Sequence, residues 1–459
     1  MDWTIKLEAK SGWGDVQTFE IGQVARRVVG LTAGEIGLML NEAKALLVEL
    51  QRCIVQTQIE EKVTSIRVCS ECLSLQPIRD RRSRVLQTLF GTVLVTVPRI
   101  RVCGCVDKRP FEDVSFSPLS ELLPDRCTPE MRRLQAELGA RHSFREAARL
   151  LTTFLPCSPP NHASVRNRLH RVAEELHAQE AAPTMTPSAQ DTRSANEPGI
   201  LVVIDGAHIR TVPGYQTRHL DVTVGKVEAS GRPSRRFALA PSGTDQPLSH
   251  IRAALAAQGW RPNVPVTVIS DGEATMPELI RRATGTDVTH ILDWWHISMR
   301  VRHAEQALQG IYTLNPAHQS GLDIVSCRLS RVRHLLWNGY HDEARRELFG
   351  LRAIASDAVY LNGESLRTSV NRFVGHCDEL HNYLGNNETA LIDYGSRYRA
   401  DQPVSTSRAE GCVDEIANAR MAKRRRMRWS PRGAHRVATV RAAVLDGRLP
   451  SEQPLSNAA

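Results

Sequence analysis

Two Asp-Gly pairs each follow a run of apolar residues. Asp205 ends the run GILVVID, and Asp271 ends the run VPVTVISD. A single Asp-Gly in such a place is usually a turn. Two of them, each after a segment that is predicted to be a strand, favour carboxylates that converge at one edge of a sheet. Such a site suits two Mg²⁺ or Mn²⁺ ions, which stabilise the attacking and leaving oxygens of a displacement at phosphorus.

A third acidic ligand is expected from a helix later in the chain. The segment STSRAEGCVDEIANARMAKRRRMRW provides Glu410 at the start of a predicted helix. Asp414 lies one turn later on the same face and is the alternative ligand. The segment ends in basic residues that are predicted to contact the phosphates of nucleic acid, with a solvated helix face as the alternative: Lys423, Arg424, Arg425, Arg426 and Arg428.

Four of the ten cysteines lie at short spacings around a predicted β-hairpin. Cys69 and Cys72 form a CxxC pair, Cys103 and Cys105 form a CxC pair, and TLFGTVLVTVPRIRV lies between them. Two such pairs brought together by a hairpin predict a closed, tetrahedral structural Zn²⁺ site. Four unliganded thiols in a small β domain are the alternative. The surrounding arginines would give this module a surface that faces phosphate: Arg79, Arg81, Arg82, Arg84, Arg99 and Arg101.

Residues 128–178 are predicted to form three helices. In the third, SVRNRLHRVAEEL, the apolar residues recur at helical spacing and would be buried. The residues left outside are those that a helix-turn-helix presents to a major groove: Arg166, Asn167, His170 and Arg171. The loop before this helix is longer than a tight turn, so a plain helical bundle is the alternative.

The elements that must position the two aspartates form a recognisable order. Three segments predict antiparallel strands, a helix follows, and two further strands are expected to be parallel. This order predicts an α/β fold of the ribonuclease H-like type, interrupted by an all-helical insertion and preceded by a zinc-ribbon-like module and a helix-turn-helix-like domain. The predicted boundaries are 1–61 helical, 62–115 zinc-ribbon-like, 116–178 helix-turn-helix-like, 179–198 linker, 199–300 and 405–447 the two parts of the ribonuclease H-like domain, 301–404 helical insertion, and 448–459 tail.

Composition narrows the class of protein. The chain has 459 residues, a net charge of +9 and a pI near 9.2, which favours a polyanionic partner. No window approaches the roughly 20 apolar residues of a membrane span, and MDWTIKLEAK lacks the features of a signal peptide. A cytoplasmic, nucleoid-associated bacterial protein is expected.

The chain resembles a known family, the DDE transposases of bacterial insertion sequences of the Kra type, which are related to the Mutator superfamily. The residues that carry the resemblance are VVIDGAHI, VISDGEAT, DWWHI, AEGCVDEIANARMAKRRRMRW and the upstream TLFGTVLVTVPRIRVCGC. The resemblance implies Asp205, Asp271 and Glu410 as a metal-binding triad. It departs from the family where SRAE stands in place of a Gly near the Glu, and where Arg425-Arg426 stand in place of Ser-Gly.

The activity that the resemblance implies is Mg²⁺-dependent cleavage of DNA at terminal inverted repeats. Cleavage frees a 3′-hydroxyl, which then attacks target DNA. The expected partners are therefore double-stranded DNA and a second subunit, since joining two DNA ends generally requires at least a dimer. The alternatives are a catalytically inactive DNA-binding regulator derived from a transposase, and a nuclease or resolvase on the same fold.

The motif DWWHI lies just after the second aspartate segment. Asp293 and His296 match the [Cys/Asp]-x-x-His motif of the family. At the end of the strand beside that of Asp271, they are expected to orient a ligand or contact the cleaved strand rather than bind metal. Of Trp294 and Trp295, one could pack inward while the other stacks on an unpaired base; core packing of both is the alternative.

Overall fold

The computed structural model describes residues 1–12, 14–105, 115–118, 125–181, 199–241, 247–314, 319–362, 364–406, 411–421 and 427–449. The chain divides into two compact units, Met1–Val172 with Arg448–Ala459, and Ala173–Gly447. Both combine helices with strands, so the mixed α/β class predicted from the sequence is confirmed. Within the described residues, no helix is both long enough and apolar enough to cross a membrane.

The first unit contains two small sheets and a set of helices. The strands are β1 (Asp2–Lys10), β2 (Val16–Ala25), β3 (Ile78–Thr88), β4 (Gly91–Arg101) and β5 (Ser115–Phe116). The helices are α1 (Leu40–Ile66), α2 (Pro129–Arg141), α3 (Phe144–Phe154) and α4 (His162–Ala181), which continues into the second unit.

The prediction that residues 1–61 are helical is wrong for the first part of this region. β1 and β2 form an antiparallel hairpin from Asp2 opposite Ala25 to Lys10 opposite Val16. Thr32 forms a capping box with Glu35, but this box caps only the 3₁₀ turn Ala33–Glu35. Gly37 follows with a φ of 80°, a left-handed conformation that turns the chain before α1 begins.

Helix α1 and the β3–β4 hairpin share one hydrophobic core. Val55 and Ile59 of α1 pack against Val93, Val95 and Val97 of β4. A hairpin lies between the cysteine pairs, as predicted, but the predicted segment TLFGTVLVTVPRIRV supplies only its turn and β4. The other strand, β3, precedes that segment and pairs from Ile78 opposite Ile100 to Thr88 opposite Gly91. The boundary predicted at residue 61 therefore runs through a shared core.

The three helices predicted between residues 128 and 178 are all present. Thr128 caps α2 by accepting a hydrogen bond from the Met131 amide, and Ser143 caps α3 by accepting one from Glu146. The apolar face of α4 predicted from its spacing is buried: Val165, Leu169, Val172 and Leu176. The predicted linker falls mostly on residues 182–198, which lie outside the described part of the chain.

The second unit is built on a five-stranded sheet. Its strands are β6 (Ile200–Arg210), β7 (His219–Glu228), β8 (Arg235–Leu239), β9 (Val266–Ser270) and β10 (Thr289–Leu292), in the order β10-β9-β6-β7-β8. β7 is antiparallel to both β6 and β8, whereas β9 is parallel to both β6 and β10. The predicted strand directions agree with this arrangement.

Two predicted strand ends need correction. β6 does not end at Asp205 but continues to Arg210, because β7 pairs with it along its whole length, up to Arg210 opposite His219. The strand beside that of Asp271 was expected to end with the motif DWWHI. It ends before the motif, at Leu292, and Trp294 begins a helix.

The helices of this unit include the inserted ones. They are α5 (Pro247–Ala257), α6 (Thr275–Thr284), α7 (Trp294–Leu314), α8 (Gln319–Trp337), α9 (His341–Asn362), α10 (Glu364–Asn386), α11 (Tyr394–Arg399) and α12 (Pro431–Leu445). Ile269 of β9 and Ile291 of β10 share a core with buried residues of α7 to α10, among them Leu329 and Phe373. Residues 301–404, predicted to be an all-helical insertion, are mainly helical where they are described, and they pack directly on the parallel edge of the sheet. The name helical insertion is kept for them.

Three histidines of this unit form a cluster, one each from α4, α5 and α12. His177 Nδ1 lies 3.2 Å from His250 Nε2, and the His250 and His435 rings lie 5.3 Å apart between centroids. The Ala240 amide donates to His435 Nδ1 over 3.4 Å. Burial, aided by the neighbouring His250 and His177, lowers the pKa of His435 to about 4.

Candidate functional site

Three aspartates lie level with one another across the parallel strands. Val203 of β6 is opposite Ile269 of β9, and continuing that register by two residues brings Asp205 level with Asp271. Leu292 of β10 is opposite Ser270, so Asp293 follows at the same level. Asp271 and Asp293 each come directly after their strand, and the charges of both act on the Asp205 carboxyl group. Residues 66 and 88 positions apart in sequence thus share one edge, called here the acidic edge: Asp205, Asp271 and Asp293.

Asp205 is half-buried in the acidic edge. Burial raises the pKa of its carboxyl group, and the charges of Asp271 and Asp293 raise it further. The Gly206 amide, 2.7 Å from Oδ1, and the His296 side chain act in the opposite direction. A divalent cation would relieve the mutual repulsion of these carboxylates, so the donor chemistry fits such an ion.

Asp271 lies in a tight loop that the helical insertion supports. Its Oδ1 accepts a hydrogen bond from the Glu273 amide over 3.1 Å, and its carbonyl accepts one from Tyr383 Oη over 2.8 Å. Gly272 adopts a φ of 91°, and an added Cβ would lie 2.7 Å from Asn387 Oδ1. Only glycine meets both constraints without strain.

Asp293 is completely buried and acts as an anchor. Its Oδ1 accepts hydrogen bonds from the Trp295 amide at 2.8 Å and the Thr406 amide at 3.0 Å. The Thr406 hydroxyl donates to Oδ2. Asp293 therefore caps the N-terminus of α7 and fixes the chain that returns from the insertion. Because its lone pairs are used in this way, it orients neighbours instead of facing an open site.

His296 and Arg300 lie one turn apart on the first turns of α7. His296 Nε2 is 3.7 Å from Asp293 Oδ2, and its charge acts on Asp205. The Arg300 guanidinium lies 4.1 Å above the ring of Tyr383, whose hydroxyl group bonds the Asp271 carbonyl. Positive groups thus border the acidic edge on the side of α7.

The two tryptophans of the motif DWWHI lie in different surroundings. Trp294 packs inward against Trp337, with ring centroids 4.8 Å apart, and against Tyr394 at 5.0 Å. Trp295 is 37% exposed and contacts the ring of His296 edge-on. One ring thus belongs to the core, while the other remains open beside His296.

The third acidic ligand was predicted to be Glu410, with Asp414 as the alternative. Glu410 lies outside the described residues, as do Lys423, Arg424, Arg425 and Arg426. Asp414, the alternative ligand, is exposed and accepts a hydrogen bond from Asn418 Nδ2 at 2.6 Å. Among the residues that the structure describes, the only group of three or more His, Cys, Asp or Glu ligand atoms close enough to hold a metal ion is the cysteine cluster. The described part of the chain thus supplies fewer ligands than a two-ion site needs.

The cysteine cluster brings the four predicted thiols together: Cys69, Cys72, Cys103 and Cys105. The sulfurs of Cys69 and Cys105 lie 3.4 Å apart, and those of Cys72 and Cys103 are also 3.4 Å apart. All four lie within 4.8 Å of one another. A disulfide requires about 2.05 Å, whereas sulfurs around a tetrahedral zinc, each at about 2.3 Å, are about 3.8 Å apart. The donor set and spacing fit a structural zinc and not a pair of disulfides.

The first cysteine pair lies in a tight knuckle. The Leu73 amide donates to the Cys69 carbonyl, and the Cys69 amide donates to the Ser74 carbonyl, each over 3.0 Å. Leu73 takes a φ of 58°, which is unusual for a residue with a side chain, and that side chain is 76% exposed. In the second pair, the Cys105 amide is the largest influence that lowers the pKa of Cys103, to about 6. A thiol that ionises this readily is a good metal ligand.

The residues predicted to read DNA on α4 differ in availability. Arg166 and Asn167 are exposed and hydrogen-bond to each other, and His170 is half-buried. Arg171 is exposed but forms an ion pair with Asp125. Arg166 and Asn167 are therefore the residues of this set that best fit a contact with DNA.

The remaining predicted basic residues are partly engaged. Arg428 is exposed and precedes Trp429, whose amide and carbonyl extend the end of β6 by hydrogen bonds with Arg210 and Val212. Around the cysteine cluster, Arg99 lies 3.3 Å from Asp80, and Arg84 donates to the Asp125 carbonyl. These arginines stabilise the hairpin module as well as adding positive charge.

Several residues of the site were missed from the sequence. Tyr383, Asn387 and Thr406 approach the acidic edge from 112 or more positions along the chain, and no local pattern marks them. Arg300 could have been predicted, because it follows His296 by four residues and one helical turn places both on the same face. It was missed because the helical region was predicted to begin at residue 301, after the motif DWWHI.

The chain was compared with known proteins. No protein-family model matches it, and no curated protein matches it.

Proposed function

We propose that this protein is a DNA transposase of the DDE type, built on a ribonuclease H-like sheet, that cuts and joins DNA through Asp205, Asp271 and Glu410. The observation that carries the proposal is the level placement of Asp205 and Asp271 on neighbouring parallel strands. The strand order β10-β9-β6-β7-β8, with the first three strands parallel, supports the choice of fold. The resemblance of VVIDGAHI, VISDGEAT and DWWHI to the transposase family supports the choice of reaction.

Each residue of the acidic edge has a proposed role. Asp205 and Asp271 would hold Mg²⁺ or Mn²⁺ through their carboxylate oxygens, with Glu410 completing the set. The ions, when bound, supply positive charge that stabilises the attacking and leaving oxygens at phosphorus. Asp293 holds the start of α7 in place, so that His296 and Arg300 face the negative charge of a bound phosphodiester.

The exposed ring of Trp295 lies beside His296 and is proposed to stack on an unpaired base near the cleaved phosphate. Its neighbour Trp294 keeps the helix fixed to the core. In the motif, Asp293 and Trp294 are thus proposed to anchor the helix, while His296 and Trp295 are proposed to face the substrate.

The first unit is proposed to bind DNA. Zinc held by the four cysteines would fix the hairpin module, and α4 would present Arg166 and Asn167 to the major groove of a terminal inverted repeat. The net charge of +9 suits a DNA partner, and a bacterial nucleoid is the location where such a protein would act.

The test uses labelled duplex DNA taken from the two sides of the gene, a plasmid target and Mg²⁺. Asp205→Asn and Asp271→Asn should bind this DNA as the wild type does, while nicking falls by roughly 100-fold or more. Asp287→Asn is the matched control, because Asp287 is fully exposed near the start of β10. It should nick normally.

The products decide among the classes of protein. Joined plasmid products support a transposase, and cut ends without joining indicate a nuclease or resolvase. Binding without any cut by the wild type indicates a DNA-binding regulator. Full nicking by either aspartate variant would remove that residue from the active site.

A further inference from the structure

A short segment between β2 and α1 exposes an unusual number of apolar side chains. Residues 28–40 read VVGLTAGEIGLML. Seven large apolar residues in it are between 39% and 92% exposed: Val28, Val29, Leu31, Ile36, Leu38, Met39 and Leu40. This stretch is called here the apolar segment.

The apolar segment is held in a defined conformation by one arginine. Arg26 Nε donates to the Glu35 carbonyl and Nη2 donates to the Gly37 carbonyl, both over 2.9 Å. Arg26 also forms an ion pair with Glu42, and Glu42 in turn accepts the Met39 amide. The hydrogen bond from Arg26 is the largest cause of the pKa of Glu42 falling to about 2.

This network holds the Glu35 and Gly37 carbonyls and the Met39 amide, while the seven apolar side chains stay exposed. At the measured exposures, the seven side chains leave on the order of 600 Å² of apolar surface open. The largest apolar patch on a typical monomer is about 300–600 Å², and larger patches mark interaction sites. A standard protein interface buries about 800 Å² on each partner. The exposed area is therefore close to what a stable dimer buries on each side.

We propose that the apolar segment is a dimerisation surface that binds a second copy of this chain. Glu35 is the only charged residue between positions 28 and 40, and its carboxylate accepts hydrogen bonds from Thr32. DNA does not fit such an uncharged surface, and neither does an anionic lipid surface, because the segment contains no Lys or Arg. A twofold axis can bring the same apolar surface of two copies together, which is how most homodimers form.

The inference deepens the proposed function, since joining two DNA ends requires two subunits, but it is tested without DNA. The full-length, zinc-loaded protein is examined by light scattering during gel filtration at about 10 μM. The wild type is expected to be a dimer. Ile36→Asp places a charge in each half of the interface and should weaken dimerisation by roughly 100-fold or more, giving a monomer.

The matched control is Ile324→Asp, because Ile324 on α8 is 60% exposed and Ile36 is 72% exposed. It should remain a dimer, as should the conservative Ile36→Leu. Val29→Asp is the second test variant, since a residue that is 92% exposed contributes little to the fold of the monomer. Circular dichroism shows whether each variant is folded.

Monomeric, folded Ile36→Asp and Val29→Asp beside a dimeric control would support the proposal. A monomeric wild type overturns it, including one that sediments with anionic vesicles, which would point to a lipid surface. Dimers of both Asp variants also overturn it. So does a monomeric Ile324→Asp, because the loss would then not be specific to the segment. A wild type that forms the dimer but does not cleave DNA would instead count only against the proposed function.

Discussion

Asp293 offers the clearest separation between an anchoring and a chemical role. Asp293→Ala removes an acceptor that serves the Trp295 amide, the Thr406 amide and the Thr406 hydroxyl group, all inside the protein. Loss of the helix cap costs about 1 kcal/mol. Each buried donor of Thr406 that is left without an acceptor adds about 1–3 kcal/mol. With two such donors, the free energy of unfolding should therefore fall by about 3–7 kcal/mol.

Asp293→Asn should behave differently. Its amide oxygen can still accept the two backbone N–H groups, and the Thr406 hydroxyl can rotate to accept from the new NH₂ group. We expect a loss of about 1 kcal/mol. Thr406→Val removes one of the same hydrogen bonds, so the effects of Asp293→Ala and Thr406→Val should be less than additive.

The assay is thermal unfolding of the full-length protein, followed by tryptophan fluorescence because Trp294 and Trp337 lie in the affected core. At about 2 °C per kcal/mol for a domain of this size, Asp293→Ala should lower the melting temperature by roughly 6–14 °C. An Ala variant as stable as the wild type, or an Asn variant as unstable as the Ala variant, would refute the anchoring role. Exact additivity with Thr406→Val would show that the two side chains act independently.

Three further predictions follow from single positions. Leu73→Gly should raise the stability of the zinc-loaded protein by up to about 1 kcal/mol, measured by thermal melting, because glycine takes a φ of 58° without strain and little apolar contact is lost. Gly272→Ala should destabilise the loop of Asp271 by about 2 kcal/mol or more, since its Cβ would meet Asn387 at a φ of 91°; faster hydrogen exchange in that loop checks this. The low pKa of His435 means that the unfolded chain binds its proton first, so the stability that neutral His435 provides is present above about pH 6.5 and is lost as the pH falls toward about 4. His435→Gln should reduce the dependence of the melting temperature on pH in that range.

The sequence predicted the parts of the fold that local patterns determine. The segment TLFGTVLVTVPRIRV predicted β4 and the turn before it, and helical spacing predicted the buried face of α4. The two cysteine pairs predicted their own cluster, because two short spacings and one hairpin leave the four thiols little freedom. In these regions, neighbours in the chain are also neighbours in space.

The errors arose where tertiary contacts decide. β6 was expected to end at Asp205, but pairing with β7 extends it. DWWHI has the apolar and aromatic content of a strand, yet Asp293 caps a helix there with the help of Thr406, a residue 113 positions away. The N-terminal hairpin was missed although DWTIKLEAK alternates strictly: Trp3, Ile5, Leu7 and Ala9 lie on one side and the charged residues lie on the other. Such a period of two indicates a strand, but the segment offers no long apolar run. The support of Asp271 by Tyr383 has no local signal at all.

The contacts of the two tyrosines also bear on how the protein is made. Tyr383 reaches the Asp271 carbonyl across 112 residues, and Tyr394 reaches the Leu292 carbonyl across 102. At about 5–20 residues per second, the ribosome synthesises these tyrosines roughly 5–20 s after the strands that they support. During that interval the nascent chain contains Asp271 and Asp293, but not the tyrosines that hold the backbone beside them. A polypeptide that terminates early, within the insertion, therefore leaves the ribosome without a completed acidic edge.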